Sequence, residues 1–187
     1  MTDAIDLAQL ARDVQYLKDR REIEDVVHLH ARGHDRFDVD LLTAAYHEDG
    51  IDEHGAAAVN RGPEYAAWAN AIHAGGSQMN LHNITTHTCE IDGAVAHTES
   101  YVLVGLLNPD GRTVRFINGR YVDRLEKRDG RWAIALRRCT VDMLIAGDAA
   151  ILEMPQFKAG QYIRGERDKT DVSYSRPLTL DVPTKRW

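Results

Sequence analysis

The chain has 187 residues, of which 43% are hydrophobic and 28% are charged. This composition is typical of a soluble globular protein, and the length is enough for one domain plus an extension. The formal net charge of -6 argues against a nucleic-acid partner, because binding nucleic acid needs a basic stripe. No apolar run approaches the roughly 20 residues of a membrane span, and residues 1–6 lack the layout of a signal peptide. We therefore expect no membrane partner.

The first half of the chain has the apolar spacing of helices. A helix is predicted over residues 7–34, because apolar residues recur there at intervals of three and four. Its apolar face ends in His30 and His34. Asp38 is a suitable N-cap for a second helix, and Pro63 suits the first turn of a third. In chain order, the segments after the first helix are a helix over residues 39–46, a turn over 47–50, a short strand over 51–55 and a helix over 61–76.

The second half of the chain is predicted to form a meander of strands. The predicted strands cover residues 80–91, 94–107, 112–127 and 131–141. An Asp-Gly pair lies in each connection, which is a strong hairpin signal. Helices followed by hairpins favour an α+β fold, with the helices packed on one face of a curved antiparallel sheet. Residues 147–187 show no clear period, so we expect a domain over residues 1–146 and a C-terminal extension that covers a pocket or a subunit interface.

Five short segments resemble the SnoaL-like branch of the NTF2-like superfamily. Residues 17–23 (LKDRREI), 34–38 (HDRFD) and 46–49 (YHED) are similar to the opening of a SnoaL-like domain, and residues 119–124 (GRYVDR) and 129–135 (DGRWAIA) to its end. The resemblance implies a cone-shaped α+β barrel, as in scytalone dehydratase, lindane dehydrochlorinase and ketosteroid isomerase. This fold hosts dehydratases, isomerases, dehydrochlorinases and non-enzymes, so it leaves the reaction open.

The resemblance also implies a set of site residues. The histidine base of the dehydratase and the dehydrochlorinase falls on His82, and the aspartate that orients it falls on Asp35. Further catalytic roles are implied for His34, Tyr121 and Arg137. His34 and His54 stand where scytalone dehydratase has tyrosines, and a second histidine of that enzyme falls near Gly105. The full dehydratase constellation is therefore absent, and the identity of the substrate does not carry over.

The pair His82 and Asp35 has the chemistry of a general base. Histidine exchanges protons near neutrality because its unperturbed pKa is about 6.5. A carboxylate bonded to one ring nitrogen fixes the tautomer and leaves the other nitrogen as the base. Taken alone, each residue has a plainer interpretation, since a strand histidine is often a core residue and an aspartate after a helix is often a cap.

An apolar pocket is predicted around this pair. Tyr101, Leu103 and Gly105 alternate on one strand face, and the match at Gly105 places that face inward. Trp68 is expected near the pocket mouth, with His54 as another substrate-binding residue. An apolar pocket with a few polar groups suits a small ring-bearing molecule. A plain hydrophobic core explains Trp68 and Leu103 equally well.

No metal or other cofactor is expected from the residue spacing. His28 and His30 point roughly 200° apart on a helix, so they cannot bind one ion. Cys89 lies two residues from His87, but a thiol nucleophile is disfavoured there. Cys89 and Cys139 are too few for a disulfide framework, which indicates a reducing, cytoplasmic location.

These observations favour a cofactor-independent lyase. It would act on a small aromatic or other ring-bearing molecule by proton abstraction and elimination, either dehydratase-like or formaldehyde-releasing. The alternatives are an isomerase of a ring ketone with the same base and a non-catalytic module that binds a small molecule or a partner. We expect a homo-oligomer, either a dimer or a trimer.

Overall fold

A long N-terminal helix lies at the start of the part of the chain that the computed structural model describes, residues 6–187. Helix α1 covers Leu7–Asp35, and the Asp6 side chain caps it by accepting from the backbone N–H of Ala8 at 2.9 Å. Its second half buries one face, which includes Ile23, Val27, His30 and His34. The predicted helix is confirmed with its bounds nearly unchanged, and both histidines lie on the buried face.

Two short helices and two strands follow α1. They are α2 (Val39–Ala44), β1 (Tyr46–Glu53), β2 (Val59–Arg61) and α3 (Gly62–Gly76). The turn predicted over residues 47–50 is wrong, because these residues belong to β1. The glycine there serves a close approach instead: a Cβ on Gly50 would lie 2.5 Å from the carbonyl oxygen of Ile134.

Five further strands build one curved sheet over the helices. They are β3 (Met79–Asp92), β4 (Val95–Leu107), β5 (Thr113–Arg128), β6 (Arg131–Cys139) and β7 (Met143–Asp148). The path through the sheet is β2-β1-β6-β5-β4-β3, and β7 pairs with the first half of β5. The α+β class and the predicted hairpins are confirmed. The β1–β6 pair is parallel, so the sheet is mixed rather than wholly antiparallel.

The C-terminal segment packs against its own chain. It contains short helical turns at Ala150–Glu153 and Val172–Tyr174 and the helix α4 (Pro155–Ala159). Strand β7 crosses residue 146, so its last two residues fall in the predicted extension. The division into a domain over residues 1–146 and an extension stays a prediction. None of the helices between residues 6 and 187 combines the length and apolar composition needed to cross a membrane.

Candidate active site

The last residue of α1 meets the start of β3 through three hydrogen bonds. The backbone N–H of His82 donates to both carboxylate oxygens of Asp35 at 3.0 Å, and His82 Nδ1 lies 2.7 Å from Asp35 Oδ1. Both side chains are largely enclosed, with 4% of His82 and 14% of Asp35 exposed. Since the carboxylate accepts the Nδ1–H proton, Nε2 is the nitrogen left with a free lone pair.

Asn80 ties this pair to the end of α1. Its amide Nδ2 donates to the carbonyl oxygen of His34 at 2.8 Å and approaches Asp35 Oδ1 at 3.4 Å. Asn80 is fully buried and lies two residues before His82, on the same side of β3. Sequence reasoning missed this residue, although its spacing from His82 was a usable signal.

Two further histidines surround the His82 ring. The His34 ring stacks on His82 with centroids 4.6 Å apart, and the His73 ring approaches it edge-on at 5.5 Å. Burial and the neighbouring imidazoles hold the pKa of His34 well below its usual value, and burial lowers the pKa of His73 to about 3. Both rings are therefore neutral near pH 7, and neither can serve as an acid there.

A cavity of two lobes opens beside His82. The lobes have volumes of about 270 and 140 Å³ and share His54, His73, Leu106 and Ile117. Other lining residues are Tyr65, Trp68 and Ile72 in the larger lobe, and His82, Val102, Val104, Tyr121 and Cys139 in the smaller one. A larger depression of about 540 Å³ around Asp49 and Arg128 shares none of these residues. The two-lobed cavity is the candidate active site because its smaller lobe is lined by His82, whose ring is held by Asp35.

The structure brings most of the predicted site residues to this cavity. His34, His54, Trp68, Tyr121 and His82 line the two lobes. Asp35 does not, but it borders a depression on the α1 side that His82 also lines. The prediction for Tyr101 and Leu103 is wrong. Tyr101 is 46% exposed, and the inward residues of β4 are Val102, Val104 and Leu106. The strand alternates between inward and outward residues as predicted, but the inward positions are shifted by one residue. Gly105, the position used to choose the inward face, faces Phe116 instead of the cavity.

Arg137 lies behind the cavity and does not line either lobe. Its guanidinium is fully buried and forms two hydrogen bonds to Asp123, at 2.8 and 2.6 Å. It also packs 4.0 Å over the Tyr121 ring. The direct catalytic role predicted for Arg137 therefore has no geometric support, because its charge is already paired.

A second histidine–carboxylate pair borders the cavity. His54 Nδ1 contacts Asp52 Oδ1, and the hydroxyl of Tyr46 donates to the other oxygen of Asp52 at 2.5 Å. Asp52 is fully buried. Sequence reasoning missed Asp52, although it lies two residues before His54 in the strand predicted over residues 51–55, where alternation puts both on one side.

Cys139 contacts His54 without forming a nucleophile–base pair. Its sulfur lies 3.5 Å from Nδ1 and 3.3 Å from Nε2 of His54. These nearly equal distances place the sulfur over the ring face, away from the in-plane lone pair that could take its proton. Burial and the nearby Asp52 raise the pKa of the Cys139 thiol well above its usual value, which disfavours the reactive thiolate.

Two groups of potential metal ligands meet at the cavity. They are His34, His73 and His82, and Asp52, His54 and Cys139, with the ligand atoms of each group within 4.8 Å of one another. The stacked His34 and His82 rings are inclined by only 26°, so their in-plane lone pairs do not converge on one ion. In the second group the carboxylate is occupied by hydrogen bonds. The absence of a metal cofactor stays a prediction.

Comparisons with known proteins identify the family. Residues 15–138 match the model of the SnoaL-like domain. The chain belongs to the SnoaL-like domain family. A search of curated proteins gave no significant match.

Several solved structures share this fold. A hexachlorocyclohexane dehydrochlorinase from Novosphingobium barchaimii superposes with a TM-score of 0.68 at 20% identity, over 72% of this chain and 94% of the dehydrochlorinase. A provisionally assigned scytalone dehydratase from Novosphingobium aromaticivorans gives 0.63 at 20% identity, over 70% and 88%. A protein of unknown function from Mycobacterium tuberculosis gives 0.61 at 29% identity, over 71% and 76%. The likeness at these identities establishes the fold of this SnoaL-like chain.

Proposed function

We propose that this SnoaL-like protein is a cofactor-independent lyase that eliminates a small leaving group from an uncharged, ring-bearing carbonyl compound. The observation that carries the proposal is the 2.7 Å contact between His82 Nδ1 and Asp35, which leaves Nε2 as a base beside an apolar cavity. Two structural neighbours, a dehydrochlorinase and a provisionally assigned dehydratase, are named for eliminations. That naming agrees with the chemistry that the site can perform.

The reaction begins with proton transfer to His82. Nε2 takes the proton from the carbon next to the substrate carbonyl, and Asp35 stabilises the imidazolium that forms. The electron pair left on carbon forms the new double bond as the β substituent departs with its bonding pair. A hydroxyl group leaves as water once it receives a proton. If the base takes the hydroxyl proton of the β-hydroxy compound instead, the Cα–Cβ bond breaks, formaldehyde is released and the bonding pair remains as an enolate. The enolate carbon then takes a proton back from the imidazolium to give the ketone.

The cavity walls favour an uncharged ring. Val102, Val104 and Leu106 give one lobe an aliphatic wall, while Trp68 and Tyr65 give the other an aromatic one. Arg115 also reaches the lining, but its guanidinium donates to Asn108 at 2.8 Å and to the Gly76 carbonyl at 2.8 Å. These bonds occupy two of its donors, so the apolar walls dominate the lining and favour a neutral ring.

The test uses β-hydroxypropiophenone, whose two fates report the two reactions. Dehydration gives phenyl vinyl ketone, and cleavage gives acetophenone and formaldehyde. Exchange of the Cα hydrogens in deuterated water reports proton abstraction by itself. We expect His82→Ala to lower both exchange and product formation by about 10²–10⁴-fold, the range for a lost general base. His97→Ala changes an exposed histidine of β4 and serves as the control.

The outcomes separate the alternatives. Exchange without any product supports an isomerase that uses the same base. A wild-type protein that gives neither exchange nor product with this ketone and its ring-substituted analogues contradicts the lyase proposal. Undiminished exchange in His82→Ala removes His82 as the base.

A further inference from the structure

A chain of buried hydrogen bonds begins at Arg137 on β6 and runs to the two-lobed cavity. Arginine can only donate, because its guanidinium stays protonated. Its Nη1 lies 2.8 Å from His30 Nδ1, so that nitrogen must be the acceptor. Burial and the nearby Arg137 hold the pKa of His30 well below its usual value. His30 is therefore neutral and carries its single proton on Nε2.

The direction of the next two hydrogen bonds follows from that proton. His30 Nε2 donates to the Tyr46 hydroxyl oxygen at 3.1 Å. Burial and the adjacent Asp52 raise the pKa of Tyr46 well above its usual value, so the phenol keeps its own proton. The hydroxyl donates that proton to Asp52 Oδ2 at 2.5 Å. His30 and Tyr46 therefore each accept a hydrogen bond from the preceding group and donate one to the next.

The chain ends at the ring of His54. Asp52 Oδ1 accepts from His54 Nδ1, so Nε2 of His54 is the nitrogen that exchanges protons with the cavity. The His54 side chain is 26% exposed and lines both lobes. The hydroxyl of Tyr65 lies 3.4 Å from Nε2, a distance that leaves this nitrogen weakly engaged.

We propose that His54 and Asp52 form a second proton-transfer pair, in which protonated His54 Nε2 donates to the leaving hydroxyl of a β-hydroxy carbonyl substrate. His54 and His82 line the same lobe. The inference rests on the proposed elimination and assigns its acid. In each turnover His82 gains the Cα proton, His54 gives one proton to the hydroxyl, and water departs with the carbon–oxygen bonding pair. Exchange with solvent restores both imidazoles.

The other candidates for the acid fit less well. The His34 ring is buried and neutral, and its Nε2 is hydrogen-bonded to the Tyr65 hydroxyl at 2.7 Å. The Tyr121 ring lies under the Arg137 guanidinium, and burial raises the pKa of its phenol well above the usual value, which makes it a poor proton donor. His54 alone among these three has both a carboxylate partner and an exposed fraction of its ring.

The experiment separates proton abstraction from departure of the leaving group. With β-hydroxypropiophenone in deuterated water, His54→Gln should lower dehydration by about 10²–10⁴-fold, while Cα exchange stays close to the wild-type rate. His82→Ala should lower both. His97→Gln, at the exposed histidine of β4, should change neither. Dehydration that survives in His54→Gln, or exchange that falls together with it, overturns the assignment. A wild-type protein that shows no exchange contradicts the proposed function instead.

A measurement without substrate tests the buried chain. Nitrogen-15 NMR of neutral His54 in the wild-type protein should show Nδ1 protonated and Nε2 unprotonated. In Tyr46→Phe, which removes the hydroxyl that donates to Asp52, the preference for this tautomer should weaken. The opposite tautomer in the wild type overturns the chain, whether or not the variant folds.

Discussion

The interior histidines fall into two chemical groups. His30, His34 and His73 have a pKa lowered by burial, so they are neutral hydrogen-bonding groups at pH 7. His54 and His82 each hold a carboxylate at Nδ1. A carboxylate stabilises an imidazolium, and a buried ring without one resists protonation. The carboxylate partner therefore marks which imidazoles can carry a proton during turnover.

The neutral histidines predict that the fold loses stability in mild acid. Below about pH 6.5 the unfolded chain protonates these histidines while the folded chain does not, so the free energy of unfolding falls as the pH falls. For the fully buried His30 and His34, each unit below 6.5 costs about 1.4 kcal/mol, which is about 2 kcal/mol apiece at pH 5. Urea unfolding at pH 7.5 and pH 5 measures the difference.

His97→Gln is the control for this pH dependence, because His97 is exposed. The variant should keep the wild-type loss of stability between the two pH values. Equal stability of the wild-type protein at pH 7.5 and pH 5 contradicts the assignment of neutral buried histidines.

Residue types alone could locate only part of the site. The positions of Asp35 and His82 followed from the resemblance, and the fold places them in contact. Asp52 was missed although its spacing from His54 placed the two on one side, whereas the role of Asn80 depends on the His34 carbonyl, which lies 46 residues away. A hydrogen-bond partner brought in by tertiary packing leaves no periodic trace in the sequence. Tyr101 was misplaced because a period of two fixes alternation but leaves its phase open.

Strand β6 carries two adjacent arginines in opposite environments. Arg137 pairs with Asp123, and both side chains are fully buried. Arg138 pairs with Glu53, but 65% of its side chain is exposed. Adjacent strand residues point to opposite faces, so one arginine serves the interior and the other the surface. In the proposed hydrogen-bond chain, Arg137 reaches the cavity through His30 and Tyr46, so its proposed role is that of a positioning residue.

This difference predicts unequal costs for two matched substitutions. Arg137→Met should lower the free energy of unfolding by about 3–5 kcal/mol, because it leaves the Asp123 carboxylate buried without a partner. Arg138→Met, one residue away, should have little effect because water screens its ion pair. Chemical denaturation of the two variants measures both changes. A similar loss in each variant is incompatible with the burial described for β6.

The helices and hairpins were largely predictable because their signals are local. Apolar spacing gave α1, and Asp-Gly turns gave the hairpins of β3 to β6. The strand predicted over residues 51–55 overlaps the second half of β1, but residues 47–50 were mistaken for a turn, because the partner of the first half is the parallel strand β6, more than 80 residues away along the chain. Pairing of this kind depends on contacts that neither strand encodes by itself. Strand β7 was missed for the same reason, because its position depends on pairing with β5.

The outer surface of the sheet bears on the assembly of the whole molecule. Large apolar side chains are exposed there on β5 and β7, namely Phe116, Met143 and Ile145. Apolar side chains grouped at a surface are typical of contact sites. The homo-oligomer stays a proposal that these residues support, and sedimentation velocity of the intact chain tests it.

The C-terminal segment fastens the end of α1, where Asp35 lies. Tyr174 donates from its hydroxyl to Asp38 Oδ2 at 2.6 Å, and Arg36 Nε lies 3.3 Å from Asp171 Oδ1. On the β3 side, Arg167 approaches Asn80 Oδ1 at 3.5 Å, and it also donates to the carbonyl of His73 on α3 at 3.1 Å. These contacts join the segment to both elements that supply the His82–Asp35 pair.

Removal of this segment should loosen that pair while sparing the sheet. A chain that ends at Ala149 keeps all of β7 but loses Arg167, Asp171 and Tyr174, so we expect faster amide hydrogen exchange at residues 33–38 and 79–82. Its Tm should fall by more than about 2–4 °C, the shift that 1 kcal/mol produces in a chain of this size. Lys169→Ala, which removes an exposed ion pair with Asp40, should leave exchange and Tm nearly unchanged. Unaltered exchange in the truncated chain contradicts a fastening role, because the contacts that define the role are then absent without consequence.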